Sequence, residues 1–333
     1  MDPIELTREL VALDTPTGKE WPATTLLHSV LREAGYRVIR QPVEGGEGRE
    51  NLYAYREPPA LVFSTHVDCV PPWIPCRDDG PRLYGRGVCD AKGIAAAMLA
   101  AANRLHQGGE DRIGLLFLVG EENGSDGARK AVELEPKGRW LINGEPTDNR
   151  LAIGQKGSLR LDIDAQGRAA HSAYPEEGES AINALLDSLE RIRRLPLPRD
   201  PLLGQSTLNI GLITGGVAPN VLAPAAQAQV LFRTVAPTAP LKEAVMKALA
   251  PGVTVTAAVE LPAHKAPALP GWDTTVVSYA SDLPLLQAWG TGYQLGPGSI
   301  RVAHTAGECI EKAELLRGVE LYVRLAGELL ARA

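Results

Sequence analysis

The sequence has few cysteines and no apolar stretch of membrane-spanning length. Its cysteines include no CxxC pair and lie in a long chain, so reduced thiols are the default expectation. A zinc site built on Cys69 and Cys76 is the alternative use of these thiols. The N-terminal residues 1–5 lack a basic region followed by an apolar core, and we therefore expect a cytoplasmic protein that is not bound to a membrane.

Positive charge is also scarce, because 34 lysines and arginines face 40 aspartates and glutamates for a net charge of -6. No basic cluster approaches the density that nucleic-acid or anionic-membrane binding needs, so the sequence predicts neither partner. Hydrophobic residues at 44% and charged residues at 22% are typical of a folded globular enzyme. The length allows about two domains.

The sequence lacks the motifs of several common chemistries. It has no G-x-S-x-G serine elbow, no H-E-x-x-H zinc helix and no phosphate-binding loop. Gly85 and Gly87 do not form the dinucleotide-binding motif G-x-G-x-x-G, because the third glycine of that motif is missing. These absences leave acidic residues and histidines as the candidates for chemistry.

A short apolar run ends on a histidine. Residues 60–65 are apolar, β-branched or small and are flanked by prolines, which predicts a buried central strand. His66 would lie at its carboxyl end, where open α/β sheets bind ligands. Asp68, two residues further on, would accept a hydrogen bond from the second imidazole nitrogen of a metal-bound His66. A buried histidine that is merely hydrogen-bonded is the alternative.

Two further predicted strands are followed by glutamates. Ile113–Val119 is followed by Glu121 and Glu122, and a short apolar strand from Trp140 is followed by Glu145. Adjacent glutamates point in different directions, so one can coordinate a cation while the other meets a bound water. An exposed acidic turn is the alternative for Glu121 and Glu122. Because the strands end at one edge of the sheet, we expect these side chains to converge there.

Two loops before helices complete the candidate set. Asp90 precedes the alanine-rich predicted helix Ile94–Leu105, where a helix N-cap is its alternative role. His304 follows a Gly-Pro-Gly loop and precedes the predicted helix Glu311–Leu330.

The pattern of the chain changes near Leu159, where apolar and polar residues begin to alternate. The predicted order over residues 157–265 is β-α-β-β-α-β, which is that of a ferredoxin-like unit. We therefore predict an α/β protein in which this domain is inserted between residues 1–156 and 266–333. Residues 274–280 and 283–289 are predicted as short helices.

The motifs together resemble the dinuclear zinc amidohydrolases, the family that includes acetylornithine deacetylase, succinyl-diaminopimelate desuccinylase, aminoacylase and carboxypeptidase G. The resemblance covers essentially the whole chain. It implies a mixed-sheet, zinc-exopeptidase-like catalytic domain, with residues 157–265 as a lid and dimerisation domain. The motifs that carry it are His66-x-Asp68, Gly85-Arg86-Gly87, Asp90-Ala91-Lys92-Gly93, Glu121-Glu122, Glu145-Pro146-Thr147, Gly296-Pro297-Gly298 and His304-Thr305.

The resemblance also implies a set of metal ligands. One zinc ion would be held by His66, Asp90 and Glu145. The other would be held by His304, Glu122 and Asp90, which would bridge the two ions. Co²⁺ or Mn²⁺ would be able to replace Zn²⁺. Such a pair of ions can lower the pKa of a shared water and polarise an amide carbonyl.

Further roles follow from the same resemblance. Glu121 would be the general base, and Asp68 would orient His66. In the inserted domain, His171 would reach the site of a partner subunit and stabilise the oxyanion, so we expect a homodimer through that domain. Asn220 would bind polar groups of the substrate, and Arg233 its α-carboxylate. Arg233 lacks the aspartate that relatives often carry two residues before it.

The expected reaction is hydrolysis of an N-acyl amino acid. N-acetylornithine, a substrate of arginine biosynthesis, is the first candidate, because the motif beginning at Glu145 and the loop before His304 look most like that branch. A deacylase that releases lysine or ornithine from a carrier protein, a desuccinylase and an exopeptidase are the alternatives. A non-catalytic metal-binding relative is the rival from another class. Residues 305–309 are less acidic than the corresponding residues of relatives. This difference can change how fully the zinc sites are occupied.

Overall fold

A computed structural model describes residues 1–332. The chain forms two compact units. The first comprises Met1–Ile153, Ala266–Thr275 and the segment from Ser281 onward, and the second comprises Gly154–Lys265 and Val276–Ala280. The predicted insertion at residues 157–265 lies within the second unit. No helix of residues 1–332 combines the length and the apolar character needed to cross a membrane.

The first unit is built on a mixed sheet covered by helices. The sheet has nine strands, and seven of them in spatial order are Arg37–Pro42, Glu50–Tyr55, Ile113–Leu118, Leu61–His66, Trp140–Asn143, Thr291–Gln294 and Leu151–Gln155. A small separate sheet contains Cys309–Glu311, Arg82–Tyr84 and Arg77–Asp78. The helices are Pro3–Val11, Trp21–Glu33, Lys92–Gln107, Asp126–Ala131 and Lys312–Leu330, with 3₁₀ turns at Glu121–Asn123 and Leu283–Trp289.

The centre of the main sheet is parallel. Leu61–His66 pairs in parallel with Ile113–Leu118 and with Trp140–Asn143. Parallel strands are covered on both faces, which explains their continuous apolar sequences. Leu61 and Phe63 join the apolar cluster on one face, and Val62 joins the cluster on the other. The strands therefore end together at one edge of the sheet.

The alanine-rich helix Lys92–Gln107 packs closely on this sheet. Its residues 94–102 are all buried, because small side chains let the helix backbone approach the strands. A Cβ atom on Gly144 would lie 2.4 Å from Ile94 Cγ2, so only glycine fits at that point. The close packing fixes the start of the helix, and with it the loop that contains Asp90.

The second unit has the ferredoxin-like arrangement that the sequence predicts. Its sheet is antiparallel throughout, and its strands in spatial order are Thr207–Gly215, Ala225–Thr234, Gly157–Gln166 and Val253–Leu261. Alternating burial along Gly157–Gln166 gives this sheet one helix-covered face. Smaller elements are the 3₁₀ turn Pro175–Glu177 and the short strands Arg199–Asp200, Gly204–Gln205 and His264–Lys265. The α-helices are Ala181–Arg193 and Ala239–Ala248.

The predicted α/β fold class is confirmed, but one predicted helix is wrong. The sequence predicts a helix over residues 274–280, whereas the structure has the strand Thr274–Val277. Its four residues are all β-branched, and such side chains pack well on a pleated surface. The four cysteines are all free thiols, as expected.

A buried ion-pair network links Arg49, which precedes the strand Glu50–Tyr55, to the starts of the helices Trp21–Glu33 and Asp126–Ala131. This network generates a stability prediction. Arg49 Nε lies 3.1 Å from Glu20 Oε2, and Arg49 Nη1 lies 2.7 Å from Asp126 Oδ2. Arg49→Met leaves the buried carboxylate of Glu20 without a cation, so we expect a loss of about 3–5 kcal/mol in the free energy of unfolding. Denaturant unfolding measures this loss.

The matched control is Arg104→Met, which removes an exposed ion pair with Glu320. Exposed pairs contribute about 0–1 kcal/mol. Equal losses for the two variants would contradict the importance of the buried network.

Candidate metal centre

The carboxyl ends of the central strands present most of the predicted ligands. His66 is the last residue of its strand. Ile113–Leu118 leads through Gly120, whose φ of 77° is left-handed, into a 3₁₀ turn that begins with Glu121 and Glu122. A Cβ atom on Gly120 would lie 1.9 Å from Asp126 Oδ1, so this sharp turn requires glycine. Glu145 follows the strand Trp140–Asn143 and is buried.

Asp90 lies between the two predicted histidine ligands. His66 Nε2 lies 3.1 Å from Asp90 Oδ1, and His304 Nε2 lies 3.3 Å from Asp90 Oδ2. Each oxygen of one carboxylate thus faces a different imidazole. The alternative role of Asp90 as a helix cap is not observed, because Ala91 occupies the N-cap position and no side chain caps the helix.

Glu122 completes the contacts of His304, since its Oε1 lies 2.9 Å from His304 Nε2. Potential ligand atoms of His66, Asp90 and Glu122 all lie within 4.8 Å of one another. The His304 side chain is 47% exposed, whereas those of Asp90 and Glu122 are 6% and 9% exposed. The cluster is therefore a buried acidic site with one histidine on its open side.

Asp68 connects two of these strand ends. Its carboxylate accepts hydrogen bonds from the backbone N–H groups of Glu121 and Glu122, at 3.2 and 3.1 Å. The Thr17 hydroxyl donates a third, at 2.7 Å. His66 Nδ1 lies 3.0 Å from the backbone oxygen of Asp68 and 3.4 Å from its carboxylate. Asp68 therefore positions the glutamate turn as well as facing the imidazole.

The pKa values of the histidines and of Asp90 reflect this pairing. Burial lowers the pKa of His66, but its hydrogen bonds to Asp68 and Asp90 outweigh burial and raise that pKa well above its ordinary value. Hydrogen bonds to Asp90 and Glu122 raise the pKa of His304 to about 10. Burial acts to raise the pKa of Asp90, yet the two histidines hold it below its usual range.

The remaining carboxylates are crowded. Burial, together with the charge of Glu145, raises the pKa of Glu121 well above its ordinary value. Burial also raises the pKa of Glu145 well above its ordinary value. Asp282, to which the sequence patterns gave no role, is buried nearby, and burial raises its pKa to about 7. Carboxyl groups thus outnumber imidazoles in the cluster, and burial without a cation favours their uncharged forms.

These residues fit a bound divalent cation. Imidazole nitrogen and carboxylate oxygen are the donors that Zn²⁺ and related ions use at catalytic sites. Glu145 Oε1 is buried and has no hydrogen-bond partner among the described residues. A cation would give that oxygen a partner and would favour the charged forms of these carboxyl groups. The group of potential metal ligands found in residues 1–332 contains no cysteine, so the described residues give no support to a zinc site on Cys69 and Cys76.

The predicted substrate and oxyanion residues all belong to the second unit. His171 is exposed, and its Nδ1 accepts a hydrogen bond from the N–H of Ala173. The next residue, Ser172, donates its N–H to the backbone oxygen of Asn220, so these two loops are neighbours. Arg233 lies on the strand Ala225–Thr234. The roles assigned to His171, Asn220 and Arg233 stay predictions.

Sequence reasoning also assigned no role to the buried carboxylate of Glu308. It lies in the loop after His304 and contacts the loop that contains Asp90. A signal was present in the sequence, because an acidic residue follows a predicted ligand by four positions. Its burial and its partners, however, depend on a contact between segments more than two hundred residues apart.

Comparison with known proteins identifies the family to which this fold and site belong. The profile described as "Peptidase family M20/M25/M40" matches residues 62–328, and the chain belongs to that family. It is thus a metallohydrolase. A "Peptidase M20 domain-containing protein" of Schizosaccharomyces pombe is 36% identical over 97% of this chain and 83% of its own length. A "Probable carboxypeptidase" of Aspergillus clavatus is 35% identical over 98% of this chain and 82% of its own length.

Solved structures share the fold. A tripeptidase from Staphylococcus aureus superposes with a TM-score of 0.80 at 22% identity, covering 97% of this chain and 96% of its own. An M20 family metallo-carboxypeptidase from Sulfolobus solfataricus has a TM-score of 0.76 at 16% identity, covering 97% and 98%. The predicted resemblance therefore holds at the level of the family, while none of these relatives is named an acetylornithine deacetylase.

The geometry of the cluster predicts that divalent cations stabilise the chain. Zn²⁺ added to chelator-treated protein at 100 times its Kd should contribute about 2.7 kcal/mol, seen as a rise in Tm. Asp90→Asn removes the negative charge between the histidines and should abolish most of this rise. Asp187→Asn, at an exposed position of the second unit, is the control. A full Zn²⁺ response in the Asp90 variant would contradict the placement of the site.

Proposed function

We propose that this protein hydrolyses the amide bond that joins an acyl or peptidyl group to a C-terminal amino acid, using a pair of zinc ions. The convergence of five predicted ligands and the half-buried Glu121 at one edge of the sheet supports the proposal. The names of the relatives at about 35% identity, several of them "Probable carboxypeptidase", support this bond class.

His66, Asp90 and Glu145 would hold one ion, and His304, Glu122 and Asp90 the other. The two oxygens of Asp90 face the two histidines, as a bridging carboxylate requires. When bound, such ions lower the pKa of water and polarise a carbonyl group. The protein supplies the arrangement of the ligands, and Asp68 holds the turn that contains Glu122.

Glu121 is the proposed general base. It is half-buried beside the predicted ligands, and its backbone N–H donates a hydrogen bond to Asp68. Its carboxylate takes a proton from the attacking water and passes it to the amine nitrogen as the C–N bond breaks. Such proton transfer contributes about 10²–10⁴-fold to the rate. No side chain forms a covalent bond with the substrate.

Arg233 and Asn220 define the proposed substrate class. A guanidinium group binds a carboxylate through two parallel hydrogen bonds, so Arg233 would bind the α-carboxylate of the amino acid that leaves. A peptide that ends in a free carboxylate and an N-acyl amino acid share this feature. The carboxypeptidase reaction therefore comes first, and N-acetylornithine hydrolysis remains one specific case of the same class.

A panel of amides tests this substrate class. Dipeptides, acetylornithine, acetylcitrulline, acetyllysine and succinyl-diaminopimelate are incubated with the purified protein, with and without chelator, and the released amine is measured. We expect turnover that chelator abolishes and Zn²⁺ restores. Substrates whose terminal carboxylate is amidated should react poorly. Zn²⁺ binding without hydrolysis of any amide would favour the non-catalytic alternative and overturn the proposal.

Replacing the proposed base separates catalysis from metal binding. Glu121→Gln keeps the size of the side chain but removes its proton acceptor, so kcat should fall by about 10²–10⁴-fold. Bound zinc, measured by elemental analysis, should stay near the level of the unaltered protein. Glu47→Gln, at an exposed loop position, is the matched control. Loss of both zinc and activity, or of neither, would contradict this role for Glu121.

We also propose a homodimer formed through the second unit. Thr207–Gly215 is an edge strand of the antiparallel sheet, and it exposes Leu212 and Ile213 at 59% and 53%. An edge strand with exposed apolar side chains is a template for pairing with another strand. A second copy of this chain presents the same strand, and His171 would then reach the partner's site.

Charged substitutions on this edge test the dimer. Leu212→Lys with Ile213→Glu should shift the molecular mass measured by light scattering from that of a dimer to that of a monomer, because buried charges oppose association. Met246→Lys, at an exposed position on a helix of the same unit, is the control. A monomeric unaltered protein would overturn the proposed dimer.

A further inference from the structure

The carboxylate of Glu308 links the two loops that contain Asp90 and His304. Its Oε1 accepts hydrogen bonds from the backbone N–H groups of Gly87, Cys89 and Asp90, at 2.9, 3.2 and 3.3 Å. Its Oε2 accepts a hydrogen bond from Arg86 Nη1 at 2.5 Å. Glu308 is only 1% exposed, so these four donors replace water around a buried charge.

The backbone of the Asp90 loop is shaped to aim these N–H groups at one oxygen. Gly85 and Gly87 have φ values of 140° and 93°, which favour glycine. A Cβ atom on Gly87 would lie 2.8 Å from Cys69 Sγ. Successive N–H groups in such a loop form a concave site for an anion. Here the anion is a side chain of the same protein.

Backbone contacts place Glu308 at this point. Its own carbonyl accepts the N–H of Gly85 at 3.1 Å. The following residues, Cys309–Glu311, pair with the strand Arg82–Tyr84 that leads into the Asp90 loop. Backbone hydrogen bonds therefore join the two segments at Glu308 and at the residues that follow it. His304 lies four residues before Glu308.

The contact between the two loops affects where the two carboxylate oxygens of Asp90 lie. They face His66 and His304, which come from different parts of the chain. A rotation of the Asp90 loop would remove one of these contacts. The backbone N–H of Asp90 itself donates to Glu308, so the loop is held where the side chain begins.

We propose that Glu308 is a positioning residue for metal binding, which holds the Asp90 loop against the His304 loop through three backbone N–H groups and Arg86. The inference rests on the proposed function only in taking Asp90 and His304 as metal ligands. Residues that orient metal ligands typically change metal affinity or activity about 10–100-fold when they are replaced.

Glu308→Gln tests this role. An amide oxygen can still accept the three backbone N–H groups, but the amide NH₂ then faces the Arg86 guanidinium, and two donors oppose each other. We expect Zn²⁺ affinity, measured by calorimetric titration of chelator-treated protein, to fall about 10–100-fold. The visible absorption spectrum of the Co²⁺-loaded protein should change, and kcat should fall while KM stays nearly constant.

The matched control is Glu311→Gln. Glu311 lies three residues after Glu308, in the strand that pairs with Arg82–Tyr84. Glu311 is 54% exposed and bonds Arg82. Its replacement should change Zn²⁺ affinity by less than about twofold, because exposed ion pairs contribute little.

A second variant keeps the test decisive if Glu308→Gln does not fold. Arg86→Gln removes the guanidinium but leaves all three backbone donors on Glu308, so it should weaken Zn²⁺ binding less than Glu308→Gln and in the same direction. Cooperative thermal unfolding of the metal-free variants shows whether each is folded.

A purely structural role makes a different prediction. If Glu308→Gln lowers the Tm but leaves the Zn²⁺ affinity, the Co²⁺ spectrum and kcat unchanged, the positioning role is overturned while the proposed function stands. The positioning role is equally overturned if Glu308→Gln is unfolded and Arg86→Gln binds Zn²⁺ normally. Failure of the unaltered protein to bind Zn²⁺ would overturn both proposals.

Discussion

The contact between the Asp90 carboxylate and two histidines is the constraint on which the candidate centre depends. Each oxygen faces one imidazole, and the carboxylates of Glu121, Glu122 and Glu145 surround the group. Negative charge is concentrated in a buried volume where water cannot compensate it. Burial raises the pKa of these three carboxyl groups, and a divalent cation would favour their charged forms.

The fold makes this concentration of charge possible in two ways. Parallel strands end at one edge, so ligands that are distant in sequence converge without any long side chain. Hydrogen bonds then hold the loops: Asp68 binds the N–H groups of the glutamate turn, and Glu308 binds those of the Asp90 loop. Both carboxylates accept hydrogen bonds from backbone N–H groups, and each also bonds a side chain, Thr17 for Asp68 and Arg86 for Glu308. The geometry of the cluster is thus set by the loops, which in turn are anchored on a rigid sheet.

The two units carry different parts of the predicted machinery. The first contains the metal cluster, and the second contains His171, Asn220 and Arg233 on an antiparallel sheet with an open edge. Relatives with names such as "Probable carboxypeptidase" align along nearly the whole chain, so both units belong to the shared plan. Under the proposed function, substrate choice then depends on the second unit, which offers polar groups and a guanidinium group.

Much of the fold and of the cluster was predictable from the sequence, because burial and strand direction leave local patterns. Continuous apolar runs predict the central strands, alternation predicts the second unit, and a polar residue after each central strand predicts where chemistry lies. The strand Thr274–Val277 was mistaken for a helix, since short apolar runs have no decisive period. Only the tertiary structure decided that Asp90 turns toward two histidines instead of capping its helix, and that Glu308 is buried against a loop far away in sequence. Those outcomes depend on which segments meet in space, and hydrogen-bond partners more than two hundred residues apart leave no periodic signal in the chain.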